Sequence, residues 1–301
     1  MSQEVAFFLE VLIGGLLAGV MYSLVALGFV LIYKASGVFN FAQGAMVFLA
    51  ALTFVSLLER GVNFWLALGI TLAVMVVLGI AIEKVVLRPL VNQPPITLFM
   101  ATIGLTFVLE GLSQAVWGSQ PHGLELGIAD VPMQWLADAT GIFISQFDLF
   151  ASGIAAVLVA SLAIFFQYTR IGRALRAVAD DHQAALAVGI PLKNIWAIVW
   201  AVAGFVALVA GLMWGARNGV QYALTFIALK ALPVLILGGF ESILGAIVGG
   251  LIIGASEKLA EVYLGPYVGG GIESWFAYVI ALLFLLVRPQ GLFGEKIIDR
   301  V

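Results

Sequence analysis

The chain has 301 residues, 63% of them hydrophobic and 10% charged, and a net charge of −3, with a mean hydropathy of +1.13. Soluble domains are about 45–50% apolar and about 25% charged, so an aqueous setting is excluded for most of this chain and its solvent is lipid. The absence of cysteine excludes disulfides and thiolate metal sites.

The apolar runs are long and continuous, which predicts helices and not the alternating strands of about ten residues that a barrel needs. In chain order they fall at 11–33, 38–58, 64–87, 96–117, 147–168, 195–214, 226–237, 243–259 and 274–287. That pattern predicts an all-α polytopic membrane protein with eight or nine crossings in a single domain, 1–301. The run 226–237 is too short to cross alone and reads as an arm of a broken helix or a re-entrant segment. Before the first run stand Glu4 and Glu10 and neither Lys nor Arg. A signal peptide needs a basic leading region, so the first span is expected to remain as an anchor.

With an outer amino terminus, Lys34, Lys84, Arg88, Arg170, Arg173, Arg176, Lys193, Arg288, Lys296 and Arg300 fall inside, and Arg60, Arg217 and Lys258 outside. This bias follows the positive-inside rule and predicts an external amino terminus and a cytoplasmic carboxyl terminus. The external loop 118–146 agrees, holding Glu125, Asp130 and Asp138 and no Lys or Arg. With Pro121, Pro132 and Trp135 it reads as a small external cap, or else as a solvated connector.

Polar groups inside the runs are candidates for a translocation path. Lys34-Ala-Ser-Gly37 interrupts the chain, and Asn40, Gln43 and Gly44 open the second run. A half helix there would turn its partly positive amino end toward a carboxylate; the alternative is an ordinary helix start with amide hydrogen bonds. Phe39 and Phe41 supply apolar wall either way. Glu110 and Lys230 lie deep in apolar runs, where a charge costs about 2.5–3.5 kcal/mol on insertion scales. They are read either as partners of one another or as groups on the solute path, and Glu110 reads as the only deeply placed acid. Glycine pairs at Gly15/Gly19, Gly211/Gly215, Gly245/Gly249 and Gly250/Gly254 predict close helix approach, within the bundle or else at a seam with a second subunit. A short likeness between 19–24 and 219–224 hints at an internal repeat.

The stretch 169–193 gathers Arg170, Arg173, Arg176, Asp180, Asp181 and Lys193 on the cytoplasmic side. Arginine spacing predicts that the fifth helix runs on into the cytosol. Asp180 with Gln183 reads as a capping box, Ala184 to Val188 as a short helix, and Gly189 with Pro191 as its stop.

The segment GRALRAVADDHQAALAVGI (172–190) resembles the cytoplasmic coupling segment of LivH-type permeases, the branched-chain amino acid class of ABC importers. The likeness extends to GLLAGVMYSLVALGFVLIYKASGVFNFAQGAM (15–46), ALKALPVLILGGFESILGAIVGGLIIG (228–254) and RPQGLFG (288–294), in the order the family has them. The resemblance implies an ABC importer permease fold with inverted repeats, in a bacterial inner membrane. It implies a homologous second permease, two ABC ATPase subunits and a periplasmic substrate-binding protein as partners. Carried onto this chain, ATPase coupling falls on Arg173, Ala174, Arg176, Ala177, Asp180, Asp181, Ala184, Ala185, Gly189 and Ile190. The acidic-Ala-Ala element of such permeases is matched only loosely, by Asp181 with Ala184 and Ala185.

The chain has no Gly-x4-Gly-Lys-Ser/Thr pattern, so it is expected not to cradle ATP phosphates itself; the resemblance then implies a transport subunit that is no enzyme and binds no cofactor, with ATP and Mg on partner subunits. His122 and His182, the only histidines, fall on opposite sides in this topology and cannot share a metal or acid–base site. Nothing points to nucleic acid; lipid is the surrounding partner. The expected cargo is a branched-chain or other hydrophobic amino acid. The same importer class carrying urea, short amides or aromatic and hydrophobic acids is the alternative, followed by an ion-coupled transporter or channel subunit.

Overall fold

A computed structural model describes residues 3–90, 93–180, 185 and 187–294. Asp181, His182, Gln183 and Ala184 lie outside the described residues. Eleven helices carry the architecture among the described residues: α1 (Gln3–Ser36), α2 (Gln43–Glu59), α3 (Phe64–Ala81), α4 (Pro95–Trp117), α5 (Gln134–Thr140), α6 (Gln146–Tyr168), α7 (Arg170–Asp180), α8 (Leu192–Asn218), α9 (Ile227–Gly238), α10 (Ile243–Tyr263) and α11 (Phe276–Val287). A π-helical turn (Ile82–Leu87) extends α3, and a 3-10 turn (Tyr222–Phe226) leads into α9.

All nine apolar runs form helices, and six are long and apolar enough to cross a membrane. The sequence singled out one short segment; among the described residues there are three, because α2 has 17 residues and α11 has 12. Gly37, at φ +66°, is the point where α1 stops, and α2 starts five residues later than the run predicts. The likeness of 19–24 to 219–224 is no structural repeat, since the first lies within α1 and the second in a bend and 3-10 turn.

The described residues form two compact units, discontinuous in sequence. One comprises Leu27–Glu125 and Ser161–Leu229. Its centre is α2, buried on all sides from Gln43 to Ser56, with α3, α4 and α8 packed against it. Backbones meet directly there: a Cβ on Gly204 would lie 2.6 Å from the Met75 carbonyl oxygen, and one on Gly211 2.6 Å from that of Val47. The other unit comprises Met1–Ala26, Leu126–Ala160 and Lys230–Val301. In it Gly15 and Gly19 of α1 face Gly254 and Gly250 of α10, and a Cβ on Gly15 would lie 2.7 Å from the Gly254 carbonyl oxygen. The glycine pairs therefore do serve packing. Close approach lets dispersion and weak hydrogen bonds hold helices that have no hydrophobic drive to associate in lipid. Ser242 caps α10 by accepting from the Gly245 N–H at 2.9 Å. The RPQGLFG tail closes on α9, with Leu292 N–H donating to the Leu237 carbonyl at 2.8 Å.

Candidate functional site

The charged stretch after α6 is built around a corner. The helix predicted to run on instead breaks at Thr169, whose hydroxyl accepts from the Gly172 N–H at 3.1 Å and so caps α7. The break strands carbonyls at the end of α6, and the arginines collect them. Arg176 donates to the Phe166 carbonyl at 2.7 Å and the Gln167 carbonyl at 3.1 Å; Arg173 donates to the Tyr168 carbonyl at 3.2 Å. A cation at a helix carboxyl end also meets the negative pole of its dipole. Gly172 is pressed against the Phe166 backbone, where no Cβ fits. Leu175 and Val178 are buried, while Arg170 and Arg173 stay exposed. Asp180 is the last residue of α7. Downstream, Ala185 is buried, Val188 is exposed, and Gly189 at φ +85° ends the segment with Ile190 N–H donating to the Ala185 carbonyl at 2.9 Å. That is the glycine stop read from the sequence.

At the start of α2, Asn40 and Gln43 are fully buried. Asn40 donates to Gln43 Oε1 at 3.2 Å and accepts from the Ala42 N–H at 3.1 Å, and Gln43 Nε2 has no hydrogen-bond partner. Phe39 stacks on Phe29 at 4.9 Å and meets Phe41 edge-on at 4.6 Å; Phe41 meets Phe99 at 4.8 Å. An aromatic row thus runs beside the two amides. Further along the same unit, Glu110 is buried and its Oε2 accepts from the Tyr222 hydroxyl at 3.2 Å.

Lys230 and Glu110 are not partners of one another, because each finds its partner within its own unit. Lys230 pairs with Glu257 at 2.7 Å, and the Tyr22 hydroxyl donates to the same carboxylate oxygen at 3.4 Å. Lys258 pairs with Glu273 at 2.7 Å, whose other oxygen lies 3.9 Å from Lys230. Glu261 accepts from the Gly271 and Glu273 N–H groups at 2.9 and 3.0 Å.

The family described as the branched-chain amino acid transport system permease component matches residues 11–288. The chain belongs to that family. The permease is 29% identical over 315 residues to the high-affinity branched-chain amino acid transport system permease protein LivH of Escherichia coli, covering 100% of each chain. It is 27% identical to BraD, the corresponding permease protein of Pseudomonas aeruginosa, covering 99% of each. It is also 24% identical to the fructose import permease protein FruF of Bifidobacterium longum, over 89% of this chain and 75% of that protein. In fold it is similar to a chain of PsaBC from Streptococcus pneumoniae, solved in complex with Fab, at a TM-score of 0.53 and 16% identity over 96% of this chain and 98% of that one.

Two acids of this permease escaped the sequence reading, which took Glu110 for the only deep one. Glu83 and Glu257 are buried as well. Glu83 holds Arg88 at 2.6 Å across the π-helical turn, a spacing of five that an α-helical reading does not pair. Glu257 lies near the end of α10 beside Lys258 and looks like a surface charge until Lys230 is placed.

Proposed function

We propose that this permease is one membrane half of an ATP-driven importer for branched-chain or other hydrophobic amino acids. A homologous second permease completes the path, two ATPase subunits with ATP and Mg act on the cytoplasmic face, and a periplasmic binding protein delivers the solute. The chain sits in a bacterial inner membrane with its amino terminus periplasmic and its carboxyl terminus cytoplasmic.

The observation that carries this reading is the α6–α7 corner, where Arg173 and Arg176 bind the last carbonyls of a membrane helix and leave Arg170 and Val188 exposed. A short amphipathic helix joined stiffly to a spanning helix is suited to receive a push from a soluble motor. Arg173, Ala174, Arg176, Ala177, Asp180, Asp181, Ala184, Ala185, Gly189 and Ile190 form this coupling segment in the proposal. Within them Arg176 holds the corner, and the exposed groups meet the ATPase. The solute passes Phe39, Phe41 and Glu110, Asn40 and Gln43 set the start of α2, and Lys230 serves its pair with Glu257.

Reconstituted with its partners in proteoliposomes, the permease should take up labelled leucine only with ATP and a competent ATPase. A cysteine at Val188 should react from the cytoplasmic side and crosslink to the ATPase. Uptake that survives removal of the ATPase, or labelling of Val188→Cys from the periplasm, would overturn the proposal.

A further inference from the structure

Three acidic side chains are buried among the described residues: Glu83, Glu110 and Glu257. Two of them carry a cation: Glu83 holds Arg88 and Glu257 holds Lys230. Glu110 has no cationic partner among the described residues, and its hydrogen bond comes from the neutral Tyr222 hydroxyl. In its ionised form a carboxyl group at membrane depth calls for an opposite charge, which a phenol does not supply.

The surroundings of Glu110 suit a polar visitor that brings this charge. One turn along α4 stands Gln114, which lines a cavity of about 340 Å³ together with Phe48, Ser119, Gln120, Gln221 and Tyr222. Ligand sites measure about 300–1,000 Å³ and combine apolar wall with a few convergent polar groups. Here the three carboxamides offer both donors and acceptors without net charge. Phe48 and Tyr222, edge-on at 6.4 Å, give the apolar wall. Tyr222 belongs to both parts, since its ring lines the cavity and its hydroxyl holds Glu110.

We infer that Glu110, presented through Tyr222, is a transit site for the primary ammonium group of a zwitterionic solute, whose carboxylate is received by the neighbouring carboxamides. The inference rests on the permease reading and sharpens it. An ammonium group completes the missing ion pair and gains from the Tyr222 ring face. Urea and neutral amides bring no charge, and a carboxylic acid without an amine brings the wrong one.

The test uses the purified importer in nanodiscs and three probes on one carbon skeleton: L-leucine, isopentylamine with only the ammonium, and 4-methylpentanoate with only the carboxylate. Thermal unfolding midpoints are followed against probe concentration. The wild type should respond to leucine and isopentylamine and not to 4-methylpentanoate. Glu110→Gln should weaken both responses about tenfold or more, and Glu110→Asp should keep the order of preference. A Gln variant that responds to leucine like the wild type overturns the inference. So does an acid that stabilises as well as the amine, or a wild type that responds to none. Should Glu110→Gln not assemble, loss of the preference order in Glu110→Asp overturns the inference in its place. Failure of the permease reading is read separately, as absence of ATP-dependent uptake by the wild type.

Discussion

At the α6–α7 corner, Arg173 and Arg176 direct their donors to backbone carbonyls, whereas in the other unit Lys230 and Lys258 meet carboxylates. The two arrangements solve one problem, a cation next to lipid, with different consequences. A helix end offers only about half an elementary charge spread over its last carbonyls. A planar guanidinium can span two such oxygens and an ammonium cannot. The corner is therefore a geometric device, and its loss should disturb positioning more than stability. The Lys230 network is a full charge pair with a buried member, and its loss should disturb stability first.

The largest effect is expected at Glu257, which is only 2% exposed. Glu257→Gln leaves Lys230 with only the more distant Glu273 carboxylate at 3.9 Å and the Tyr22 hydroxyl without its carboxylate acceptor, so a cost of about 3 kcal/mol is expected. The readout is the unfolding midpoint of the purified permease. A double variant, Lys230→Met with Glu257→Leu, should recover most of the loss, because an apolar pair of similar volume has no charge to bury. A double variant as unstable as the single one would show that packing, not charge, holds this site.

Next comes packing at the glycine contacts. Gly15→Leu sets a side chain against the Gly254 backbone, where even a Cβ would lie 2.7 Å from the carbonyl oxygen. Overpacking of this kind costs about 1–3 kcal/mol. The same substitution at Gly14, with open space around its Cβ position, should leave the midpoint unchanged, and equal effects at the two positions would refute the close-packing account.

These contrasts also explain what could be read before folding. The nine apolar runs, the glycine pairs and the Gly189 stop were legible because each depends on neighbours within a few residues. The corner was not, because Arg170, Arg173 and Arg176 fit α-helical spacing equally well with or without a break, and Thr169 as a cap is one weak signal among many. Lys230 was correctly marked as needing a partner, but the partner lies 27 residues away on another helix. Its choice depends on how α9 and α10 pack through Gly238, Gly245 and Gly249, which no local pattern specifies. Glu83 was hidden by a change of helical period.

At the corner, Arg176→Gln removes two partly exposed charge-assisted hydrogen bonds, about 1–2 kcal/mol in total. The sharper readout is coupling: uptake per ATP hydrolysed should fall while ATPase activity of the assembled importer persists. Arg176→Lys should not restore it, since an ammonium lacks the fork that reaches Phe166 and Gln167 together. Arg173→Gln, which loses one bond at 3.2 Å on an exposed side chain, should do less. Full rescue by lysine would mean that charge alone suffices and that the corner is no lever.

The smallest effect belongs to the exposed end of the ionic network. Glu273 lies in the 3-10 turn Ile272–Ser274, outside the spans. Burial pushes its carboxyl up, but the hydrogen bond and charge of Lys258, with the charge of Lys230, outweigh burial and leave it below the ordinary carboxylate range. A carboxyl lowered by folding contributes stability that is fully present above its unfolded value, about 4.3, and is lost as pH falls through the folded value. Lys258 and Glu273 are each about a third exposed, so screening holds the gain below about 1 kcal/mol. The unfolding midpoint should therefore stay level from about pH 7 to pH 5 and fall in more acid solution. Glu273→Gln should start lower and lose part of that acid-side fall. Since Glu257 keeps Lys230 in both proteins, the difference between the two curves measures what Glu273 contributes through Lys258 at 2.7 Å and Lys230 at 3.9 Å together, and parallel curves would mean that these ion pairs add nothing to the fold.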